Sequence, residues 1–154
     1  MSLFASVLHL DRRAVKALRI TDPYSLHRVV YSLYPDVRSD TDKAQSRVSG
    51  ILYSDQGGDY HGRKILMLAD RQPAQKVEGQ YGEVHCKPLP EGFLDHTHYR
   101  FKVIVNPTRR DSASRKLIAV RSREAVADWF AERASSSWGF ALDREQLQVD
   151  RIEV

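Results

Sequence analysis

The sequence predicts an α+β fold in which two amphipathic helices alternate with at least four strands. Three observations lead to this prediction: an apolar helical face in residues 22–34, a second helical pattern in residues 123–134, and short apolar runs separated by turn residues. The order strand, helix, two strands, inserted strands, helix, strand is that of a ferredoxin-like or RRM-like βαββαβ unit with an inserted basic β-hairpin. We expect residues 1–154 to form one such domain.

The first helix is the most clearly marked element of the chain. Residues 3–10 are apolar enough for a buried strand, and a basic, irregular link follows them. Asp22 is suited to cap a helix, and Pro23 is suited to its first position. The apolar residues that follow recur with helical spacing and predict a buried face: Leu26, Val29, Val30, Leu33 and Tyr34. The helix is expected to end before Pro35, because proline disfavours helical geometry in the residue before it.

A β-hairpin is predicted after the first helix. The polar stretch 36–46 is interpreted as a loop. Residues 47–53 and 63–69 are two strand candidates, and the segment between them contains Gly57, Gly58 and Gly62. Two apolar runs joined by a glycine-rich turn are most simply explained as a hairpin.

The remaining elements are predicted in the second half of the chain. Residues 80–87 and 97–105 are interpreted as a further strand pair, and residues 117–121 as another candidate strand. A second helix is expected over residues 123–134, and a strand over residues 146–154 closes the chain. The predicted cap of this helix and its buried residues are Ser122, Val126, Trp129 and Phe130.

Composition narrows the classes of function. The longest apolar runs fall far short of the roughly 20 residues that cross a bilayer, and the N-terminus lacks the pattern of a signal peptide. We therefore expect a cytoplasmic protein with no membrane partner. Cys86 is the only cysteine, so an internal disulfide is excluded. Because His85, His96 and His98 lack the spacing of a helical metal-binding pair, neither a metal nor a cofactor is expected.

Positive charge is concentrated in residues 100–123. The whole chain has 24 Lys and Arg against 20 Asp and Glu, but this segment has eight basic residues against the single acid Asp111. The stretch of residues 96–110 begins with an alternation that predicts a half-buried strand with one basic face, and Asn106 and Pro107 end that strand. The loop after it is either a solvated hairpin tip or a clamp on RNA phosphates. The candidate RNA-binding cations are Arg100, Lys102, Arg109, Arg110, Arg115 and Lys116.

A second stripe lies beside the apolar face of the first helix. It consists of Tyr24, His27, Arg28 and Tyr31, spaced at i, i+3, i+4 and i+7. Metal-free RNA cleavage requires one group that takes the proton of the 2′-OH and one that protonates the leaving 5′-oxygen, and histidine suits both roles. We interpret His27 as catalytic, Tyr24 as orienting the scissile phosphate and Arg28 as offsetting its charge. The plain alternative is an exposed helix side with mixed polar residues.

Three segments resemble CasE, the type I-E CRISPR-associated endoribonuclease that matures guide RNA for the Cascade complex. These segments are residues 22–36, 100–110 and 123–142, and their order and spacing also agree. The residues that match the motifs of the family are Tyr24, His27, Asn106, Pro107, Trp129, Gly139 and Phe140. The resemblance implies that Tyr24 and His27 form an active site.

The resemblance also implies a reaction and a set of partners. The family cuts CRISPR repeat RNA at the foot of its hairpin by in-line attack of the 2′-OH, without metal, leaving a 2′,3′-cyclic phosphate and a 5′-hydroxyl. The expected partners are the repeat RNA hairpin and Cascade subunits, with Arg28, Tyr31 and the basic segment contacting RNA. Family members continue into a second ferredoxin-like half with a glycine-rich loop, whereas none of the eight glycines here lies after Gly139. We expect that half to be missing through truncation or supplied by another chain, which leaves the activity of the chain alone open.

Two other functions stay open at the level of sequence. A non-catalytic RNA-binding module of RRM-like fold, docked on a larger ribonucleoprotein, would use the basic hairpin but not His27. A ferredoxin-like interaction domain would carry its positive charge incidentally, and the scarcity of acids in residues 100–123 argues against that interpretation.

Overall fold

The computed structural model describes residues 2–45 and 48–153 of the chain. Its internal contacts divide it into two compact units, one that reaches to Thr97 and one that begins at His98. The first unit contains the larger sheet, and the second contains a short hairpin and the last helix. The predicted α+β class is confirmed.

In the described part of the first unit, four strands form one antiparallel sheet. The strands are β1 (Phe4–Asp11), β2 (Ile51–Gly58), β3 (Gly62–Ala69) and β4 (Glu83–Pro88). The helices of the same unit are α1 (Arg12–Ala17), α2 (Pro23–Ser32) and α3 (Asp40–Ala44). The sheet order is β2-β3-β1-β4, so β1 and β3 lie in its centre and their side chains alternate between its two faces.

The predicted hairpin of β2 and β3 is confirmed. The two strands pair from Ile51 opposite Ala69 to Asp55 opposite Ile65, and their register shifts before Gly58. Gly62, at the start of β3, has a φ of 147°, and a Cβ there would lie 2.0 Å from the carbonyl oxygen of Leu10. Only glycine fits this close approach of β3 to β1. The predicted strand start at Arg47 lies outside the described residues.

The apolar core of the first unit joins one face of the sheet to α2. Leu8 and Leu10 of β1 and Ile65 and Met67 of β3 lie on that face and are at most 3% exposed. The apolar helix face predicted from the sequence is buried in the same cluster: Leu26, Val29, Val30, Leu33 and Tyr34. Full burial of one such aliphatic side chain contributes about 1.5–3 kcal/mol. Packing therefore fixes the rotation of α2 on the sheet.

The start of α2 is fixed by a reciprocal capping arrangement. Asp22 Oδ1 accepts a hydrogen bond from the backbone N–H of Ser25 at 2.7 Å, and Ser25 Oγ accepts one from the backbone N–H of Asp22 at 3.1 Å. Hydrogen bonds from the backbone N–H and the side chain of Ser25 lower the pKa of the Asp22 carboxyl. Pro23 follows at the first helical position, as predicted. The cap sets the residue at which the helix begins and thereby which side chains face the sheet.

The second unit combines a basic hairpin with the last helix. Strands β5 (Thr108–Arg110) and β6 (Leu117–Ala119) pair antiparallel, and α4 spans Arg123–Arg133. A π-helical turn (Ala134–Trp138) and a 3₁₀ turn (Arg144–Gln146) follow. Ser122 caps α4 by accepting a hydrogen bond from the N–H of Ala125 at 3.1 Å. The prediction of an inserted basic hairpin before the last helix is confirmed.

Aromatic rings of the second unit contact one another around the buried side chain of Phe130. The ring centroids of Phe101 and Phe130 are 5.7 Å apart, and those of Phe130 and Trp138 are 5.0 Å apart. Phe140 stacks on Trp138 at 6.2 Å. The indole N–H of Trp129 donates to the carbonyl oxygen of Thr108 at 2.9 Å, which ties α4 to β5.

Two predicted strands are wrong. Within the described part of the second unit, residues 98–107 and 147–153 take part in no strand pairing. Phe101, whose alternation suggested a half-buried strand, instead packs on Phe130. The terminal segment is held by the Arg123 guanidinium, which donates to the carbonyl oxygens of Val149 and Asp150. Alternation alone does not make a strand, because a strand also needs a partner edge. The last residue of the predicted strand, Val154, lies outside the described residues.

Two short helices occur where irregular structure was predicted. Helix α1 replaces the basic link after β1 and is capped by Asp11, whose Oδ1 accepts from the N–H of Ala14 at 2.7 Å. Helix α3 lies in the predicted loop and begins with a capping box of Ser39 and Asp42. Helices of six and five residues are too short to show an apolar period, so their caps were the only sequence signal. Ser46, the end of the predicted loop, lies outside the described residues.

None of the helices in the described ranges is long and apolar enough to cross a bilayer.

Candidate functional site

The stripe predicted on the first helix lies on the exposed side of α2. Tyr24 is 75% exposed, His27 and Arg28 are exposed, and Tyr31 is half-buried. The core face of the same helix points the other way, because three- and four-residue spacings place the two sets on different sides of the cylinder. The chemically active side chains are therefore presented by a helix that the core holds in place.

His27 lies between two tyrosine rings. The ring of Tyr31, one turn further along α2, stacks on the imidazole with a centroid separation of 4.0 Å and an interplanar angle of 25°. The ring of Tyr53, on β2, lies 6.0 Å away at 58°. The Tyr53 hydroxyl oxygen is 3.5 Å from Nδ1 of His27. The cluster of His27, Tyr31 and Tyr53 thus joins the helix to the sheet.

The Tyr31 ring is itself anchored through its hydroxyl. Its oxygen is 2.9 Å from Oγ of Ser49, in the segment that leads into β2. Arg71 donates to the carbonyl oxygens of Ser49 at 3.1 Å and of Pro35 at 2.9 Å. Arg71 also forms an ion pair with Asp70 at 2.6 Å. These bonds fix the chain on both sides of the Tyr31 ring, and the ring in turn supports His27.

Tyr53 connects the cluster to the sheet. Its side chain packs against the apolar core, and Asp55, two residues further on β2, forms an ion pair with Arg63 of β3. Burial raises the pKa of the Tyr53 hydroxyl, and the neighbouring Tyr31 and Asp55 raise it further. The hydroxyl consequently keeps its proton at neutral pH and is a neutral hydrogen-bonding group.

Sequence reasoning missed Tyr53 and Ser49. A signal for Tyr53 was available, since Ile51, Tyr53 and Asp55 alternate along β2 and must share one face of the sheet. Ile51 is buried in the core against which α2 packs, so Tyr53 had to lie on the helix side. No comparable signal existed for Ser49, whose contact with Tyr31 depends on the path of the chain before β2.

Tyr24 and Arg28 lie further from the cluster. In the described residues, the rings that contact His27 are those of Tyr31 and Tyr53, whereas Tyr24 points into solvent one turn earlier on α2. Arg28 lies in the middle of α2, and its charge adds to the effect of the Ser25 hydrogen bonds in lowering the pKa of Asp22. Both side chains are accessible to a ligand that reaches this side of α2.

The basic hairpin of the second unit has a fixed tip. The backbone N–H of Asp111 donates to the carbonyl oxygen of Lys116 at 2.9 Å, and the Arg110 guanidinium donates to the carbonyl oxygen of Arg115 at 2.7 Å. Asp111 Oδ2 accepts from the N–H of Ser114 at 2.7 Å, and hydrogen bonds from Ser114 lower the pKa of this carboxyl. Arg115 accordingly keeps a left-handed φ of 60° that is uncommon for its residue type.

The cations of this unit are presented to solvent. Arg109, Arg115 and Lys116 are exposed, and none of them forms an ion pair with another described residue. Arg100 and Lys102 are also exposed, but they lie on the irregular segment that flanks Phe101 rather than on a strand. Surface cations without acidic partners are available to bind phosphates.

The structure offers no candidate metal centre in its described ranges. No three His, Cys, Asp or Glu side chains among the described residues are grouped closely enough to hold an ion. Of the three histidines considered from the sequence, His85 contacts the ring of His9 at 6.1 Å and the carboxylate of Glu83 at 3.9 Å. His96 and His98 are exposed.

Comparison with known proteins identifies a family and several similar solved structures. Residues 3–154 match the family described as "CRISPR associated protein". A solved CRISPR endoribonuclease Cse3 bound to a 19-nucleotide RNA is similar over 88% of the chain, with 18% identity and a TM-score of 0.58. Thermus thermophilus Cse3 bound to an RNA representing a pre-cleavage complex is similar over 88% of the chain, with 18% identity and a TM-score of 0.60. At these identities the likeness establishes the fold.

The chain is shorter than these solved proteins. It covers 66% of the first and 65% of the second, and it covers 63% of a further Cse3 structure, which is 20% identical with a TM-score of 0.54. No protein of curated function matches the chain in sequence.

Proposed function

The chain belongs to the family of CRISPR-associated proteins, and from that premise we propose that it is an endoribonuclease domain that cuts CRISPR repeat RNA into guide RNA. The resemblance to CasE that the sequence predicted is confirmed, and so is the ferredoxin-like fold class. The single observation that supports the proposed activity is the exposed imidazole of His27 between Tyr31 and Tyr53. We further propose that the protein works in the cytoplasm, bound to a repeat RNA hairpin and to Cascade subunits.

The proposed reaction is an internal transesterification of RNA. The 2′-oxygen attacks the adjacent phosphorus and loses its proton, while the bond from phosphorus to the 5′-oxygen breaks and that oxygen gains a proton. The products are a 2′,3′-cyclic phosphate and a 5′-hydroxyl, so no water is consumed. His27 is the general base or the general acid of this step, because imidazole is the side chain that most often serves in general acid–base catalysis and this one faces solvent. No step requires a metal ion.

Two neighbours of His27 on α2 are proposed to bind the scissile phosphate. Tyr24 is one turn away, and its hydroxyl can donate to a phosphate oxygen and orient the phosphorus for in-line attack. The Arg28 guanidinium can offset the negative charge that develops on the phosphate oxygens. Tyr31 remains a predicted RNA contact, although its hydroxyl is already bonded to Ser49.

The second unit is proposed to bind the RNA backbone. Its contacts come from exposed cations on the hairpin and on the segment before it: Arg100, Lys102, Arg109, Arg110, Arg115 and Lys116. The hydrogen bonds at the hairpin tip fix the backbone that carries these side chains, which lowers the entropy cost of binding. Phosphate contacts of this kind supply affinity without sequence preference.

A non-catalytic RNA-binding module is the second candidate. It is favoured by the exposed cations Arg109, Arg115 and Lys116, which form no ion pair within the described ranges and would bind RNA whatever the role of His27. The two candidates differ in one outcome, since a pure binding module leaves repeat RNA intact.

Cleavage of repeat RNA in EDTA separates these candidates. The chain is incubated alone, and also together with a chain that supplies a second ferredoxin-like half, with repeat RNA whose ends are then analysed. The matched control is the same RNA with hydrogen in place of the 2′-OH at the cleaved nucleotide. We expect cyclic phosphate ends from the first RNA and no cleavage of the second. Intact RNA under both conditions, cleavage of the deoxy RNA, or loss of activity in EDTA contradicts the proposal.

A further inference from the structure

The Tyr53 hydroxyl is the only group from outside α2 found next to the imidazole ring nitrogens in the described residues. We propose that Tyr53 is a positioning residue that accepts a hydrogen bond from the Nδ1–H of His27 and so leaves Nε2 as the nitrogen that exchanges protons with RNA. This inference rests on the catalytic role proposed for His27. It adds a residue of β2 to a site that the sequence places wholly on the helix.

Two tyrosines constrain the imidazole in different ways. The Tyr31 ring, stacked at 4.0 Å, restricts the plane of the imidazole but does not distinguish its two nitrogens. The Tyr53 hydroxyl approaches Nδ1 alone, and no hydrogen bond to Nε2 is found among the residues that the structure describes. The separation of 3.5 Å is long for a hydrogen bond, and such bonds in ligand-free sites commonly shorten when substrate binds.

The direction of the bond follows from the chemistry of either role. As a general base, a neutral imidazole must present an unprotonated Nε2, which requires the proton to be on Nδ1. As a general acid, the imidazolium carries protons on both nitrogens and again donates from Nδ1. A neutral phenol accepts in both cases, and the raised pKa that burial gives Tyr53 keeps it neutral.

Tyr53 is held in a fixed position, as a residue that orients His27 must be. Its backbone lies opposite Met67 in the ladder between β2 and β3, and its side chain packs against the core. Tyr24, in contrast, is on the first turn of α2 with its ring in solvent. A side chain that orients a catalytic group needs a fixed position of its own, because a misplacement of about 1 Å can cost 10²-fold in rate.

Substitution of Tyr53→Phe tests the inference, because it removes one oxygen and retains the ring. The matched control is Tyr60→Phe, which removes the same oxygen from an exposed tyrosine in the turn between β2 and β3. The first readout needs no RNA: nitrogen chemical shifts of the His27 ring report its tautomer at a pH about two units above the usual histidine pKa of about 6.5. The second readout is the single-turnover cleavage rate of repeat RNA.

We expect Tyr53→Phe to raise the share of the Nε2–H tautomer and to lower the single-turnover rate roughly tenfold, as loss of one ordinary hydrogen bond in the transition state would. The RNA affinity of Tyr53→Phe should stay unchanged. For Tyr60→Phe, both the tautomer and the cleavage rate should stay unchanged. An unchanged tautomer or an unchanged rate in Tyr53→Phe overturns the inference. If His27→Ala cleaves as fast as the unsubstituted chain, the catalytic role proposed for His27 is wrong. If His27→Ala is slow but Tyr53→Phe is unchanged, only the positioning role of Tyr53 is wrong.

Discussion

The site on α2 and the basic hairpin of the second unit are positioned by different forces. The imidazole of His27 is held by a helix with a buried apolar face and by a tyrosine of the adjoining sheet. The hairpin cations depend on local bonds instead, such as the one from Arg110 to the carbonyl oxygen of Arg115. Proton transfer requires precise distances, whereas attraction to phosphate tolerates a few ångströms. The proposed catalytic side chain is therefore carried by an element that packs on the core, whereas the proposed RNA-binding cations are carried by a surface hairpin.

The largest expected effect comes from weakening the core beneath His27. Leu26 is 3% exposed and lies next to His27 in sequence, so Leu26→Ala should lower the free energy of unfolding by about 2–5 kcal/mol. The matched control is Leu117→Ala in β6, where the side chain is 64% exposed and the cost should stay within about 0.5 kcal/mol. Denaturant unfolding measures both. Equal losses would mean that the two regions are not held by different forces.

A smaller effect on binding is expected from reversing charge in the hairpin. Arg109→Glu combined with Arg110→Glu should weaken RNA binding on the order of tenfold, because two cations that neutralise phosphates are replaced by anions. The slope of log affinity against log salt should become shallower by roughly 0.7 for each phosphate of a single strand that the variant no longer neutralises.

The control for this charge reversal is Arg12→Glu with Arg13→Glu, at the exposed start of α1, where acidic side chains suit the helix dipole. Filter binding or fluorescence anisotropy over a salt series gives both affinity and slope. A slope identical in the two double variants would show that the hairpin is merely solvated.

The fold was predictable from the sequence wherever burial was periodic. The helical spacing from Leu26 to Tyr34 and the capping pair of Asp22 and Pro23 predicted α2 almost to the residue. The strand predicted at residues 97–105 was wrong, because residues 98–105 pair with no strand edge among the described residues and Tyr99, Phe101 and Val103 remain exposed. A short alternating pattern therefore shows neither that a partner strand is present nor that the apolar side chains are buried.

The candidate site was predictable only in part, for a related reason. His27 and its neighbours Tyr24 and Arg28 could be found because they share a helix face within one turn of each other. Tyr53 is 26 residues away from His27 in sequence, and its approach to Nδ1 depends on how β2 packs beside α2. Long-range pairs of this kind need the topology of the sheet before they can be recognised.

The most direct test of the account is to remove the imidazole and measure stability and cleavage in the same preparation. His27→Ala should change the free energy of unfolding by no more than about 1 kcal/mol, because the side chain is exposed and its contacts with the described residues are two ring contacts and one long hydrogen bond. Cleavage of repeat RNA in EDTA should slow on the order of 10² to 10⁴-fold, as expected when general acid–base catalysis is lost.

The control for this measurement is His9→Ala, an exposed histidine of β1 outside the site, which should leave stability and cleavage unchanged. The chain is assayed with the second ferredoxin-like half supplied, so that weak RNA binding does not limit the observed cleavage. We predict a His27→Ala protein that is folded, binds RNA and cuts it on the order of 10² to 10⁴-fold more slowly. Undiminished cleavage by that folded variant would contradict the account.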